Sequence, residues 1–418
     1  MSISLKELYR TYKKTYKVST DTRTIEQGSI FFALKGENFN GNKFVNKAIE
    51  AGAEIAVIDE KEYYIKGKTF IVEDVLSFLQ KFANYHRKQL KATFIGISGS
   101  NGKTTTKELL YQVLSKKYNT IATEGNLNNH IGVPLTLLSI KPENDMAIVE
   151  MGANHQGEIA DLCKIAMPEY GYITNFGKAH LEGFGSFEGV IKAKSELYQY
   201  LLSTGGTVFV NSDDDIQIKQ TENNKKSFLS DKIYFEGANP FVVVNNNGLL
   251  IKSKLVGSYN FQNIRFAISV GEYFNVDKEK IKNAIEEYQP TNNRSQIVEK
   301  NGNTIILDAY NANPSSMRAA IKNIADMNSD YKVVILGDMF ELGEYSEKEH
   351  SALSAEIEVT DIDKVILLGK EFSKNKLSKF TYFETTSEFI ESGIFDTLSN
   401  STILIKGSRG MAMEKILG

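Results

Sequence analysis

The stretch TFIGISGSNGKTT, residues 93–105, decides the fold of this chain. Its first six residues form a predicted buried strand, and a glycine-rich turn follows. Apolar residues at i,i+4 spacing from Leu109 to Leu114 then predict a helix that runs to about Lys117. In a strand, turn and helix joined in this order, backbone N–H groups and the helix start point at an anion. The stretch therefore predicts a phosphate-binding loop within an α/β fold.

Every residue of the loop is a predicted ATP contact. Glycines allow close approach of the backbone, a lysine reaches the β- and γ-phosphates, and the hydroxyl that follows it can bind Mg²⁺. These contacts are Gly99, Ser100, Asn101, Gly102, Lys103, Thr104 and Thr105. Ile97 stands where the general phosphate-loop pattern has glycine, so the match is to a shorter variant. The alternative is a turn that binds nothing, and the order of strand, lysine, hydroxyls and helix disfavours it.

Length and composition indicate a globular protein of several domains and argue against several other classes of protein. The 418 residues predict two to four domains, and 41% hydrophobic with 24% charged residues is a globular balance. A formal net charge of -3 gives no global attraction to nucleic acid. The single cysteine, Cys163, fits a reducing compartment and a buried position. The first residues carry early charges, and no apolar run is long enough for a bilayer, so we expect a cytoplasmic protein without a membrane span.

Alternating strands and helices predict an α/β fold of three domains. They are a small N-terminal α/β domain (residues 1–85), a central ATPase-like domain with a parallel sheet (86–290) and a C-terminal Rossmann-like domain (291–418). The predicted strands cover residues 29–34, 54–59, 69–72, 93–98, 146–149, 171–174, 207–210, 304–307, 332–336, 364–368 and 402–405. Residues 44–51 are predicted as helix, 84–91 as a helix or linker, and 214–256 as an insertion or sheet extension.

Polar residues follow three of the central strands, namely Glu150, Asn175 and Asn211. Ligands of parallel sheets bind beyond the carboxyl ends of the strands, so we expect these side chains near the nucleotide. Glu150 is a candidate Mg²⁺ ligand, or else a structural loop glutamate. His180 is a candidate second ligand, although a lone histidine is more often structural. The histidines show no zinc spacing.

Several motifs resemble those of the Mur ligase family, whose members build the peptide stem of the bacterial wall precursor. The likeness covers essentially the whole chain. The motifs are GSNGKTT (99–105), TEGNLNNHIGVP (123–134), VEMGANH (149–155), LDAYNANPSSM (307–317), LGDMFELG (336–343) and KGSR (406–409). Within the family, the stretch 307–317 is most similar to the member that adds D-alanyl-D-alanine.

The resemblance implies the roles of individual residues. It implies a magnesium site formed by Thr104, Glu150, His180 and Lys194, the last as a carbamate. Lys103, Lys194 and Arg294 would be catalytic, and Asn260, Asn263, Arg294 and Asp308 would complete the ATP site. The substrate contacts would be Asp21, Arg23, Lys35, Asn128, Asn129, Tyr310 and Asn311. Tyr259 stands where the family often has histidine.

The resemblance also implies an activity. This is ATP-dependent joining of D-alanyl-D-alanine to UDP-N-acetylmuramoyl-tripeptide through an acyl phosphate, in peptidoglycan synthesis, by a cytoplasmic enzyme expected to be a monomer. Three alternatives remain. The first is a sister ligase that adds another stem residue or glutamate to folate. The second is a nucleotide-switched interaction module, and the third is an inactive scaffold.

Overall fold

A computed structural model describes residues 4–222, 226–291 and 293–418. It confirms the mixed α/β class with three sheet-bearing units. The N-terminal unit holds a parallel sheet in the order β1-β2-β5-β6. Its elements are α1 (Leu5–Tyr12), β1 (Val18–Ser19), β2 (Ile30–Phe32), β3 (Lys35–Gly36), β4 (Phe39–Asn40), α2 (Val45–Glu50), β5 (Ile55–Ile58), β6 (Thr69–Ile71) and α3 (Val75–Arg87).

Helix α3 begins nine residues before the segment 84–91, which the sequence predicted as a helix or linker, and it ends at Arg87 within that segment. It begins at Val75 because the Asp74 side chain caps it, accepting from the Ser77 N–H at 2.7 Å. Its buried face carries Leu79 and Phe82. The predicted boundary between the first two domains, at residue 85, falls inside this helix. The division of the chain into domains stays a prediction.

Buried aromatic side chains join the N-terminal unit to the central one. The Tyr12 hydroxyl donates to the carbonyl of Leu138 at 2.7 Å, and His86 Nε2 lies 2.8 Å from the carbonyl of Ile140. The other ring nitrogen of His86 is 2.9 Å from the Tyr9 hydroxyl. Both ring nitrogens of His86 therefore have hydrogen-bond partners inside a hydrophobic core. The two units are joined by specific hydrogen bonds as well as by apolar packing.

The central unit is built on a parallel sheet in the order β12-β11-β10-β7-β9-β8. The predicted strands of this region are confirmed, and an antiparallel sheet β13-β14-β15 extends the unit where an insertion was expected. Its elements are β7 (Thr93–Ser98), α4 (Lys103–Leu114), β8 (Thr120–Ala122), α5 (Gly132–Ser139), β9 (Met146–Glu150), α6 (Glu158–Ala166), β10 (Tyr170–Ile173), α7 (Leu181–Phe184), α8 (Phe187–Thr204), β11 (Thr207–Val210), α9 (Asp215–Gln220), β12 (Lys226–Phe228), β13 (Ile233–Ala238), β14 (Phe241–Asn246), β15 (Leu249–Val256), α10 (Asn260–Tyr273) and α11 (Lys278–Glu287).

The C-terminal unit has a sheet in the order β16-β17-β21-β18-β19-β20, parallel except for the antiparallel pair β16–β17. Its elements are β16 (Gln296–Lys300), β17 (Asn303–Asp308), α12 (Pro314–Asp326), β18 (Lys332–Gly337), α13 (Ser346–Glu358), β19 (Lys364–Leu368), β20 (Thr381–Phe383), α14 (Thr386–Glu391) and β21 (Thr402–Lys406). Strands β17 and β21 end at Asp308 and Lys406, and both of these residues line the cleft shared with the central unit.

Candidate active site

A cavity of about 1090 Å³ lies between the units, at the carboxyl ends of the central strands. It gathers most of the residues predicted from the sequence. Those that line it are Ser100, Asn101, Gly102, Lys103, Thr104, Thr105, Asn128, Asn129, Glu150, His180, Asn260, Asn263, Arg294, Asp308, Tyr310 and Asn311. Residues more than 200 positions apart in sequence therefore share one cleft.

The phosphate loop requires its glycines. Gly99 has φ +133°, and a Cβ there would lie 2.1 Å from Oγ1 of Thr174. Gly102 has φ +77° and packs against Asn263, 2.8 Å from a Cβ position. No larger residue fits either place without strain. The loop consequently passes directly from strand β7 into helix α4, and its residues from Ser100 to Thr105 line the cleft.

Lys103 is the first residue of α4, and its ammonium group lies over the loop. Its Nζ donates to the carbonyls of Gly99 at 2.8 Å and Ser100 at 3.2 Å. Burial in the cleft lowers its pKa, the Glu150 charge opposes this, and the Arg294 charge adds to the lowering. Two cationic side chains from different units thus act on the same small volume, which suits a ligand of high negative charge.

Neighbouring strand ends hold the loop in place. The Asn101 N–H donates to Oδ1 of Asn175 at 3.1 Å, and the Thr174 hydroxyl donates to the Asn101 carbonyl at 2.6 Å. From the C-terminal unit, Nδ2 of Asn313 donates to Oδ1 of Asn101 at 2.7 Å. The expected position of Asn175 near the nucleotide loop is therefore confirmed. Asn313 was not predicted, because its contact spans 212 positions of sequence.

Glu150 is a buried carboxylate with a free oxygen. Its Oε1 accepts from the Thr104 hydroxyl at 3.2 Å and from Nδ2 of Asn128 at 2.7 Å. No described residue donates a hydrogen bond to Oε2, although Lys107 Nζ lies 3.9 Å away. A buried carboxylate oxygen without a donor is costly. The arrangement of Thr104 hydroxyl and Glu150 carboxylate at the phosphate loop fits a hard divalent cation.

Lys194, on helix α8, is fully buried. Its Nζ donates to the carbonyl of Ala153 at 3.0 Å and lies 4.8 Å from the Phe184 ring centroid. Burial lowers the pKa of this amine from 10.5 to about 7, and the charge of Lys103 adds to the effect. A large share of the side chain is consequently neutral and nucleophilic near neutral pH.

His180 contacts a residue that the sequence did not indicate. Its Nδ1 lies 2.5 Å from Oε2 of Glu341, a carboxylate of the C-terminal unit. The imidazole contact holds the pKa of Glu341 below its ordinary value. Both residues have left-handed backbones, with φ 51° at His180 and 61° at Glu341. The described residues contain no cluster of three His, Cys, Asp or Glu side chains arranged for a metal, and the metal role of His180 stays a prediction.

The two asparagines at the start of α10 form a polar chain to helix α4. Nδ2 of Asn260 donates to the Val256 carbonyl at 2.8 Å, and its Oδ1 accepts from Asn263 Nδ2 at 2.8 Å. Oδ1 of Asn263 accepts from the Thr106 hydroxyl at 3.0 Å. The structure therefore fixes both amides beside the phosphate loop, where the sequence predicted a nucleotide contact.

Four predicted residues of the C-terminal unit line the cleft and make two sets of contacts. The Arg294 guanidinium carbon is 3.6 Å from the centroid of the Tyr310 ring. Asp308 accepts from Lys406 Nζ at 2.6 Å, and the same ammonium donates to the carbonyl of Asn311 at 3.0 Å. Lys406 belongs to the KGSR motif but had no predicted role, and the structure shows that it orients Asp308.

Some predicted substrate residues lie elsewhere or serve the fold. Asp21 and Arg23 pair with each other at 2.5 Å on the surface of the N-terminal unit. Lys35 pairs with Asp59 at 3.1 Å. None of these three lines the cavity. Oδ1 of Asn129 accepts from two N–H groups that start helix α5, one of them at 2.9 Å from Gly132. Their substrate roles stay predictions.

Family comparisons agree with this geometry. The chain matches the Mur ligase family, catalytic domain over residues 14–87, the Mur ligase middle domain over residues 97–271 and the Mur ligase glutamate ligase domain over residues 293–409. The matches cover most of the sequence. The chain belongs to the Mur ligase family, and it is an ATP-dependent ligase.

Similar proteins extend over nearly the full length. The UDP-N-acetylmuramoyl-tripeptide--D-alanyl-D-alanine ligase of Bacillus subtilis is 33% identical, with 97% of this chain and 93% of the relative covered. A crystal structure of MurF from Acinetobacter baumannii has a TM-score of 0.85 at 32% identity, covering 96% of this chain and 92% of that one. MurF ligase from Thermotoga maritima in complex with ADP has a TM-score of 0.84 at 25% identity, with 96% of each chain covered.

In the part of the chain that the structure describes, no helix has both the length and the apolar character needed to cross a bilayer.

Proposed function

We propose that this enzyme joins the amine of D-alanyl-D-alanine to the terminal carboxylate of UDP-N-acetylmuramoyl-tripeptide, converting ATP to ADP and phosphate during peptidoglycan synthesis. The observation that carries the proposal is the cleft in which Lys103 of the central unit and Arg294 of the C-terminal unit act on one volume. The names of the full-length relatives supply the substrates.

The chemistry explains the need for ATP. A carboxylate is a poor acylating agent, because the leaving group would be oxide. Its oxygen attacks the γ-phosphorus, ADP leaves, and an acyl phosphate forms. The dipeptide amine then attacks the acyl carbon, loses a proton, and expels inorganic phosphate. Water competes for the acyl phosphate, so the reaction needs a cleft enclosed by several units.

The chain's own cations lower the barrier to phosphoryl transfer. Lys103 and the loop N–H groups neutralise charge on the transferring group, and Arg294 does so from the opposite side of the cleft. Asn260 and Asn263 contact the adenine, and Asp308, oriented by Lys406, binds the ribose. Tyr310, which lies under the Arg294 guanidinium, and Asn311, which lines the same cavity, form the site for the dipeptide.

The acidic and hydroxyl groups of the cleft fit Mg²⁺. Thr104 and Glu150 would hold it, because Glu150 Oε2 is buried without a described donor. His180 and a carbamate on Lys194 would add ligands. When bound, Mg²⁺ would neutralise phosphate charge. The buried, largely neutral amine of Lys194 is suited to capture CO₂, which would replace a repelling ammonium with an anionic oxygen ligand.

The remaining proposals concern organisation. The N-terminal unit, residues 1–85, would bind the uridine nucleotide of the acceptor through the surface around Asp21, Arg23 and Lys35, and Asn128 and Asn129 of the central unit would contact the acceptor inside the cleft. Residues 86–290 would bind ATP, and residues 291–418 would bring Arg294 and the dipeptide site. We also propose a monomer in the cytoplasm, where ATP is available, since all predicted catalytic residues lie in one chain.

The test is phosphate release from ATP and Mg²⁺ with UDP-N-acetylmuramoyl-tripeptide, with and without D-alanyl-D-alanine. The account predicts release that needs both acceptor and dipeptide and is not supported by single amino acids. Release supported by a single amino acid would indicate a sister ligase. Release that ignores every amine would contradict the proposed reaction and favour a nucleotide switch.

A further inference from the structure

We propose that the hydrogen bond between Tyr259 and Ser295 fastens the C-terminal unit to the central unit and thereby positions Arg294 for ATP. The inference rests on the proposed function, since it assigns a positioning residue to that ATP site. Tyr259 belongs to the central unit, immediately before helix α10. Ser295 belongs to the connection between α11 and β16, immediately before the C-terminal sheet.

The contact itself is well defined. The two hydroxyl oxygens lie 2.9 Å apart. Ser295 is 7% exposed, so loss of its partner leaves a hydroxyl with poor access to water. The Tyr259 ring is held from behind by Gly257, where a Cβ would lie 2.3 Å from Cε1 of the ring. Burial raises the pKa of the phenol, so the hydroxyl stays protonated and able to donate.

The backbone around Arg294 needs external support. Asn293 has φ 57° and Ser295 has φ 50°, so both neighbours of Arg294 adopt the left-handed region without being glycine. Side chains with a Cβ adopt this conformation at a cost, and it persists where surrounding contacts fix it. Among the described residues, two contacts at Ser295 do this: its hydroxyl meets the Tyr259 hydroxyl, and its N–H donates to Oδ1 of Asp308 at 3.3 Å.

The support reaches the nucleotide site through two routes. Arg294 is directly bonded to Ser295, and its guanidinium lies over the Tyr310 ring. Asp308 joins the Ser295 N–H to Lys406, which sets the position of the carboxylate proposed to bind ribose. Tyr259 therefore acts through Arg294 and Asp308 and is a positioning residue. Loss of the bond lowers the population of the ATP-competent arrangement and weakens apparent ATP binding.

The experiment compares Tyr259→Phe, Ser295→Ala and the double variant with wild type. Tyr288→Phe is the matched control. Its hydroxyl donates to Oε2 of Glu108 at 2.6 Å, so it lies close to the same connection but stays within the central unit. Two measurements are made: KM for ATP with kcat, and the radius of gyration by X-ray scattering during titration with β,γ-methylene-ATP and Mg²⁺. Nucleotide bound between Lys103 of the central unit and Arg294 of the C-terminal unit is expected to draw the two units together, so the radius of gyration reports the ATP-competent arrangement. Thermal unfolding checks that each variant is folded, and Ser295→Ala removes the same bond if Tyr259→Phe is unstable.

One hydrogen bond corresponds to roughly a threefold to tenfold change in an equilibrium constant. We expect each single variant to raise KM for ATP and the nucleotide concentration for half-maximal compaction by that factor, with kcat changed less than about twofold. We also expect the double variant to match the single ones. Values equal to those of wild type or Tyr288→Phe, effects that multiply in the double variant, or a fall in kcat alone would overturn the proposal.

The scattering titration uses nucleotide without acceptor or dipeptide, so it distinguishes this inference from the proposed reaction. If the wild-type protein does not compact with nucleotide, ATP binding involves no change in the arrangement of the two units, and the positioning role of the Tyr259–Ser295 bond is overturned even if product forms. If the wild-type protein compacts and both single variants need the expected higher nucleotide concentration to do so, the positioning role of the Tyr259–Ser295 bond is supported even if the dipeptide proves to be the wrong substrate.

Discussion

Exchange of Lys194 for methionine removes a buried amine while keeping an unbranched side chain of similar length. Lys194 is 0% exposed, and its amine pKa falls from 10.5 to about 7. Each pKa unit corresponds to about 1.36 kcal/mol, so burial and the Lys103 charge favour the neutral amine by about 5 kcal/mol. At pH 8 about 90% of the side chain is neutral, compared with about 0.3% for an ordinary lysine, which is about 300-fold more reactive amine.

The sign of the pH dependence follows from this lowered pKa. Only the neutral amine adds CO₂, and addition releases a proton. The carbamate is therefore favoured above about pH 7 and is lost as the pH falls through that value. At pH 6 about 9% of the amine is neutral, so the reactive form is about tenfold scarcer than at pH 8.

The assay is ¹³C NMR of the protein in ¹³C-bicarbonate at pH 8 and pH 6, together with turnover in CO₂-depleted and bicarbonate-supplemented buffer. Wild type and Lys192→Met, an exposed lysine on the same helix, should show a bound carbamate carbon at pH 8 that weakens at pH 6. Lys194→Met should lack it and lose at least about 100-fold in turnover. Equal labelling of wild type and Lys194→Met, or near-normal turnover of the variant, would refute the reasoning.

Three further substitutions test other parts of the account. Lys103→Ala should lower turnover by at least about 100-fold with an unchanged circular dichroism spectrum, and near-normal turnover would remove the phosphate-loop assignment. Glu150→Gln should raise the Mg²⁺ concentration for half-maximal turnover by roughly 10- to 100-fold, whereas Glu124→Gln, an exposed carboxylate, should not; equal shifts would argue against the cation site. Tyr12→Phe should lower the free energy of unfolding in urea by about 1–3 kcal/mol while turnover is kept, because the carbonyl of Leu138 loses its donor; unchanged stability would show that this bond does not fasten the N-terminal unit.

Local sequence patterns predicted the elements whose signals are themselves local. The strands Thr93–Ser98 and Lys364–Leu368 have the bounds expected from their apolar runs. The antiparallel strand Gln296–Lys300 was missed, although Asn301-Gly302 in the turn after it is a strong hairpin signal. Both turn residues have positive φ, 53° and 74°. The hairpin formed by β16 and β17 could therefore have been predicted from the sequence.

Contacts between units could not be predicted from the sequence. Glu341 meets His180, and Asn313 meets Asn101, only because two separately folded sheets present their strand ends to one cleft. No spacing rule links residues across such a distance. Lys406 illustrates the same limit, since a buried lysine at a strand end has no signal until its partner Asp308 is placed beside it.

Isotope transfer tests the central claim most directly. The acceptor UDP-N-acetylmuramoyl-tripeptide is labelled with ¹⁸O in its terminal carboxylate and incubated with ATP, Mg²⁺, D-alanyl-D-alanine and the enzyme. The account predicts inorganic phosphate that carries one ¹⁸O atom. It also predicts an equal amount of product, whose mass equals that of the acceptor plus the dipeptide minus one water. Phosphate without ¹⁸O, released while the acceptor keeps its mass, would contradict it.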